Sequence, residues 1–268
     1  MRVLRLSLPF AFGLLLMVTA VQAQESSTPA PRDPQAVPLL QRSLAALVGT
    51  TTVNDVTLSA SANWIAGSDD ETGSATLKAT AIGQGRMDLS LSGGSRSEVV
   101  DITQTPPVGS WCGTDGVWHA MATHNLFTDP TWFFPTFLIN RALSNTSYAI
   151  SPMDAETQNG VAVEHVTVNT PLGLAVQQPT QIAGLGQIDL YLNASTLLPF
   201  SVSFNTHADS NALINIPIQI TFSNYQTAQG ISVPYQIQKY IQNGLAVDVT
   251  VTGVQLNTGL SASDFQAQ

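Results

Sequence analysis

The chain has 268 residues, of which 44% are hydrophobic and only 10% charged. That is the balance of a folded protein, because a disordered chain buries too little apolar surface to offset its entropy. Nine Lys and Arg against 18 Asp and Glu give a formal net charge of −9, which argues against nucleic-acid binding and against electrostatic docking on anionic lipid headgroups. The single cysteine excludes an intrachain disulfide framework and a cysteine-rich zinc site.

Residues 1–23 read as a secretory signal peptide. Arg2 and Arg5 form a positive start, Leu6 to Val21 is an apolar run, and Val21-Gln22-Ala23 places small residues before a cut ahead of Gln24. The residue after that cut is Gln24 and the one cysteine, Cys112, is far downstream, so no lipid anchor is expected. The expectation is export, to the periplasm first and to the medium as the alternative. No later stretch has the length and apolarity of a membrane span. Residues 24–33, with Pro29 and Pro31, read as a disordered spacer, and residues 34–268 as one domain.

Asp33-Pro34 is a helix start, followed by Val37, Leu40, Leu44 and Leu47 on one face and by Gly49 as a stop. From residue 53 the period changes to two. Val56, Leu58, Ala60, Ala62 and Trp64 alternate with polar residues, Gly67 to Gly73 reads as a turn, and alternation resumes at Ala75, Leu77 and Ala79, then at Met87, Leu89 and Leu91. Residues 121–145 break the alternation and hold Trp132, Phe133, Phe134 and Phe137. Thr128-Asp129-Pro130 reads as a helix start there, with Pro135 expected to kink it or split it in two. Strands resume with Ile188, Leu190 and Leu192, then Phe200, Val202 and Phe204, then Ile218, Ile220 and Phe222, and continue to Val251. The pattern predicts a mainly β antiparallel sheet with one buried face.

Motifs for common chemistries are missing. There is no G-x-S-x-G elbow and no phosphate loop. His119 and His124 stand five apart, the wrong spacing for a helical zinc pair, and read as surface or helix-edge histidines. His207 reads as part of a hairpin loop. Asp69-Asp70-Glu71 has oxygen ligands for calcium but not the EF-hand spacing, so a solvated turn is the better reading. Cys112 has no activating base or cation nearby in sequence and reads as ordinary packing. No catalytic residue, metal or cofactor is expected.

A sheet that is apolar on one face must cover that face, and this chain supplies two helical pieces for some twelve apolar runs. Curling the sheet around few helices meets that need and leaves a cavity suited to apolar ligands. The order of helix, meander, helical insert and second meander resembles the periplasmic lipoprotein carriers and receptors of the LolA/LolB type. Three C-terminal segments carry the likeness: Tyr191-Leu-Asn-Ala-Ser-Thr-Leu-Leu-Pro199, Gly230-Ile-Ser-Val-Pro234 and Val254 to Phe265. The resemblance implies a strongly curved antiparallel half-barrel, with the helices on its concave side. It also implies a carrier or sensor for a lipid-like or acylated ligand, with a lipoprotein as one such partner and transient contact with a membrane or membrane protein as another. An arginine inside the barrel holds the closed state in such carriers, and Arg86, Arg96 and Arg141 are the candidates here. The expected ligand site is the concave face, namely Trp64, Leu77, Leu89, Leu190, Leu192, Phe200, Val202, Ile218, Ile220 and Phe222, beneath a lid of Trp132, Phe133, Phe134 and Phe137. The alternative is an envelope interaction, structural or sensor module with no ligand cavity, in which the aromatic insert only fills the core.

Overall fold

The structure, a computed structural model, describes residues 30–128, 130–170 and 184–267. The expected signal peptide and residues 24–29 of the spacer lie outside the described residues. The last spacer residues do not follow the expectation of disorder. Arg32 bridges to Ile150 in parallel fashion, Asp33 N–H donates to the Ile150 carbonyl, and the Arg32 guanidinium donates to the carbonyls of Ala142, Leu143, Asn145 and Tyr148. A guanidinium presents several donors in a fixed fork, and here it satisfies carbonyls around the C-terminus of a helix that would otherwise be orphaned.

Helix α1 spans Ala36–Val48. The Asp33 carboxylate accepts the N–H groups of Gln35 and Ala36 at 2.7 and 3.1 Å, and Gly49 ends the helix at φ 56°. Its buried stripe is Ala36, Leu40, Ser43 and Leu47. Val37 and Leu44, expected on the same face, are only partly buried at its border.

The first meander comprises β1 (Asp55–Ala66), β2 (Asp69–Thr80), β3 (Gln84–Leu91), β4 (Gly94–Asp101), β5 (Val108–Cys112) and β6 (Trp118–Ala120). After an insert come β7 (Ala149–Pro152), β8 (Glu156–Gln158), β9 (Val161–Asn169), β10 (Gln187–Asn193), β11 (Pro199–Ala208), β12 (Asn211–Ala228), β13 (Ile231–Ile241) and β14 (Gly244–Leu256). All belong to one antiparallel sheet in the order β6-β5-β4-β3-β2-β1-β14-β13-β12-β11-β10-β9-β7, with β8 paired to β9 off this path. The sheet is open, with β6 and β7 as its edges. Pairing of β1 with β14 joins the two meanders into one surface. The turn expected over Gly67 to Gly73 is only Gly67 and Ser68, and Asp69 to Gly73 belong to β2. Three short strands, β5, β6 and β8, had no alternation long enough to read.

Alternation determines which side chains turn inward. On β1, Val56, Leu58, Ala60 and Ala62 are buried while Ser59 and Ser61 are exposed. Directly opposed residues share a face, so Leu58, Leu77 and Met87 lie in one row. Val202, Ile220, Lys239, Val247 and Trp64 lie in another.

The connection from β6 to β7 runs from one edge of the sheet to the other, so it must cross a face. It crosses the apolar one. It begins with a 3-10 turn, Thr123–Phe127, and ends with helix α2, Pro135–Ser144. The expected helix start at Thr128 to Pro130 is corrected, since the helix begins at Pro135. Proline is suited to that first position, where its missing N–H would have had no partner and its φ is already helical. Pro130 lies so close to the sheet that a Cβ on Gly85 of β3 would collide with its carbonyl oxygen. Helix α1 packs on α2, β13 and β7. One cluster of buried residues joins both helices to the inner face of the sheet.

Candidate ligand site

Most of the expected concave-face residues do converge. Leu77, Leu89, Leu190, Leu192, Val202, Ile218, Ile220 and Phe222 are buried in the same cluster as Trp132, Phe133, Phe134 and Phe137. The Phe134 and Phe137 rings meet edge to face at 4.8 Å, and those of Trp132 and Phe133 at 5.5 Å, the geometry that aromatic quadrupoles favour. Trp64 is only partly buried, at the border of the cluster. Phe200 departs from expectation. Tyr191 faces Ser201 while Leu192 faces Pro199, so Phe200 is the extra residue of a bulge. It is half-buried and outside the cluster, because a bulge breaks the alternation on which the sequence reading relied.

The interior is therefore closed by the insert, and open space lies at one end of it. A cavity of about 310 Å³ is lined by Trp64, Met87, Arg96, Ser97, Glu98, Trp111, Cys112, Gly113, Lys239, Ile241 and Val247. A second of about 200 Å³ shares Glu98, Trp111, Lys239 and Ile241 with it and adds Trp132, Pro130, Phe204 and Ile218. The shared residues make this one mouth, with Trp132 of the insert as its floor. Its walls come from β4 and β5 on one side and from β12, β13 and β14 on the other. A larger cavity, about 460 Å³, lies on the outer face between β4, β5 and the C-terminal residues Ala262 to Ala267. No residue of the aromatic insert lines it, and it mixes polar with apolar walls, so the mouth is the better ligand candidate.

The mouth is apolar with charged edges. Arg96 and Glu71 form a two-pronged ion pair, both bonds at 2.8 Å, and Glu71 also accepts the Gly93 N–H. These bonds, with Arg96 first among them, hold the Glu71 carboxyl below its ordinary range. The Arg96 guanidinium lies 5.1 Å from the Trp64 ring centre, and the Lys239 ammonium lies 4.7 Å from that of Trp132, both within cation–π range. Sequence reading missed Glu71 by placing it in a turn, and it did not single out Lys239 or Glu98. The signal was available for Lys239, which interrupts an otherwise apolar set on β13.

The three candidate arginines occupy different places. Arg141, on α2, is buried beneath the insert and donates to the Thr131 hydroxyl at 3.0 Å and the Ala81 carbonyl at 3.4 Å, which ties α2 to the turn after β2. Arg96 stands at the mouth. Arg86 alternates with inward Met87 and lies on the outer face, bonded to Asp88 and the Gln266 carbonyl.

The histidines form no common centre. His119 stacks on Trp111 at 4.4 Å and bonds Asp115. His165 stacks on Tyr191 and bonds Asp189. His207 is corrected from a loop to a buried position on β11. Burial first, and then the neighbouring His124, push its pKa below the ordinary 6.5. Beside it, Asn125 of the insert accepts the His207 N–H and the Thr206 hydroxyl, both at 2.8 Å, and donates to the His207 carbonyl. This latch fastens the insert to the β11–β12 hairpin. Cys112 is half-buried beside the mouth, its thiol directed at the Gly113 carbonyl. Among the described residues no group of three His, Cys, Asp or Glu could hold a metal ion, and no helix is long and apolar enough to cross a membrane.

Comparison of the backbone with solved structures places this architecture. A domain of an outer membrane lipoprotein-sorting protein from Vibrio parahaemolyticus superposes with a TM-score of 0.52 at 12% identity, covering 86% of this chain and 96% of that one. The fold is the LolA-like half-barrel. A LolA-superfamily protein from Nitrosomonas europaea, NE2245, gives 0.52 at 10% identity over 87% of this chain and 97% of its own. A DUF1329 protein from Desulfovibrio piger gives 0.52 at 13% over 88% and 98%. No family model matches the sequence, and no curated protein matches it either. The LolA-like half-barrel is thus shared in backbone course with proteins whose sequences have little in common with this one.

Proposed function

We propose that this protein is an exported binding protein or carrier for a lipid-like or acylated ligand, most consistent with the periplasm, and that it works without a covalent step. The observation that carries the reading is the apolar, tryptophan-lined mouth of about 310 Å³ at the open end of the half-barrel, of a size that holds small apolar ligands. The likeness to a lipoprotein-sorting domain and the signal-peptide pattern of residues 1–23 support it. Ligand entry begins at the mouth and deepens when Trp132 and the insert move, exchanging their contacts with the sheet for contacts with an acyl chain. Residues 34–268 act as one domain, since β1–β14 pairing joins the two meanders.

A second reading has its own observation. Phe133, Phe134 and Phe137 are no more than 1% exposed, so the interior is filled by the chain itself, as in an envelope interaction module with no internal ligand. Native mass spectrometry and lipid extraction of the mature protein, purified from an envelope fraction, separate the two. Co-purified lipid or acylated peptide supports the carrier. An empty protein that also fails to bind a fluorescent fatty-acyl probe supports the module. Limited proteolysis that released two stable halves would refute the single domain.

A further inference from the structure

A lipid-like ligand has a polar end as well as an acyl chain. Two charged side chains at the mouth stand apart from the rest. Glu98 is on β4, opposite Met87 on the inner face, and Lys239 is on β13, between Ile220 and Val247. Both line both parts of the mouth and both are half-buried. Four strands, β3, β2, β1 and β14, separate them along the sheet, so they face each other across the opening. The other charges at this site, Arg96 and Glu71, neutralise each other. Among the described residues Glu98 has no cationic partner. Lys239 has no carboxylate partner, and its one polar neighbour of note is the Trp132 ring. Partial burial of an unpaired charge costs free energy that a matching ligand group would recover.

We infer that the mouth recognises a zwitterionic amphiphile, and this inference rests on the carrier reading. A phosphate-type anion lies against the Lys239 ammonium, a primary ammonium lies against the Glu98 carboxylate, and the acyl chain continues over Trp64, Trp111 and Trp132. An anionic head would leave Glu98 opposed to like charge. A neutral head would leave both residues unpaired. The arrangement therefore favours a head with both signs, such as phosphoethanolamine, on a single chain narrow enough for the mouth.

The test uses the full mature protein and three amphiphiles with the same acyl chain: lysophosphatidylethanolamine, lysophosphatidylglycerol and monoacylglycerol, all below their micelle concentrations. Tryptophan fluorescence reports binding, since Trp64 and Trp111 line the cavity. The zwitterion is expected to bind about tenfold more tightly than the neutral lipid, the scale of one charge-assisted hydrogen bond, and more tightly than the anion. Lys239→Gln should bring the zwitterion to the neutral lipid's affinity, whereas Lys239→Arg should keep the preference. Glu98→Gln should shift the preference to the anion. Equal binding of zwitterion and neutral lipid by the wild type overturns the inference and leaves the carrier intact, as does tighter binding of the anion. Binding of none of the three overturns the carrier and the inference together. Should Lys239→Gln misfold by circular dichroism, the wild-type series and Glu98→Gln still decide.

Discussion

Two regions of the same inner face behave differently. Beneath the helices, the rows contributed by β1–β3 and β10–β14 are mostly Leu, Ile, Val and Ala, with Met87 and Phe222 among them, and Phe134 and Phe137 complete them. At the open end the same alternation turns Trp64, Arg96, Glu98, Trp111 and Lys239 inward, and among the described residues no helix covers them. The strand period is the same in both. What differs is the cover: where the edge-to-edge connection crosses the sheet, inward residues become core, and where it does not, they become the lining of a mouth. A face defined by alternation is therefore only a candidate site until the crossing connection is located.

The sharpest way to break this contrast is to empty one side of it. Phe134→Ala should cost about 3–5 kcal/mol, because a fully buried ring is lost and the cavity collapses only in part, and thermal or urea denaturation would measure it. A cost near zero would show that the interior is not sealed. Gly85→Ala comes next. The added methyl meets the Pro130 carbonyl, so the insert must lift, at about 1–3 kcal/mol, and hydrophobic-probe binding should rise if the insert is a lid.

The latch gives a pH test. Because burial holds the His207 pKa below 6.5, the unfolded chain binds the extra proton first as pH falls, so the buried neutral ring is tolerated above pH 6.5 and destabilises the latched segment as pH falls below it. His124 and Asp209 are the titratable groups nearest to it, His124 by ring contact and Asp209 through Asn125. Hydrogen exchange over residues 123–127 and 206–208 should accelerate in mildly acid buffer. His207→Phe should flatten that dependence, and an unchanged profile would contradict the assignment. The smallest effect is expected at the mouth. Lys239→Met removes one cation–π contact at a half-exposed site and should change stability by about 0.5–1 kcal/mol or less, while it alters ligand preference. A much larger loss would make Lys239 part of the core.

The long strands were legible because each of them has one face in the core, and burial of one face imposes a period of two on the residues. Leu58, Leu77, Leu190 and Ile220 could be assigned to the inner face on that ground alone. Phe200 could not, since a bulge adds a residue that nothing in the local sequence marks. Pro135 was legible as a disturbance to a helix, but its role as the first helical residue depends on where the chain arrives from β6. Arg32 and His207 were read as spacer and loop. Each acquires its place through a partner more than 80 positions away, Ala142 for one and Asn125 for the other, and local pattern is silent about such pairs.

The amino-acid order by itself determined a mainly β chain with one apolar face, an aromatic insert and too few helices to cover a flat sheet, because burial periodicity and proline and glycine chemistry act between near neighbours. Tertiary structure alone decided that β1 pairs with β14, that the insert spans the open edges, and that Lys239 and Glu98 face each other across an uncovered mouth. Those outcomes depend on contacts between residues distant in sequence, whose energies appear only when the sheet curls and brings its walls together.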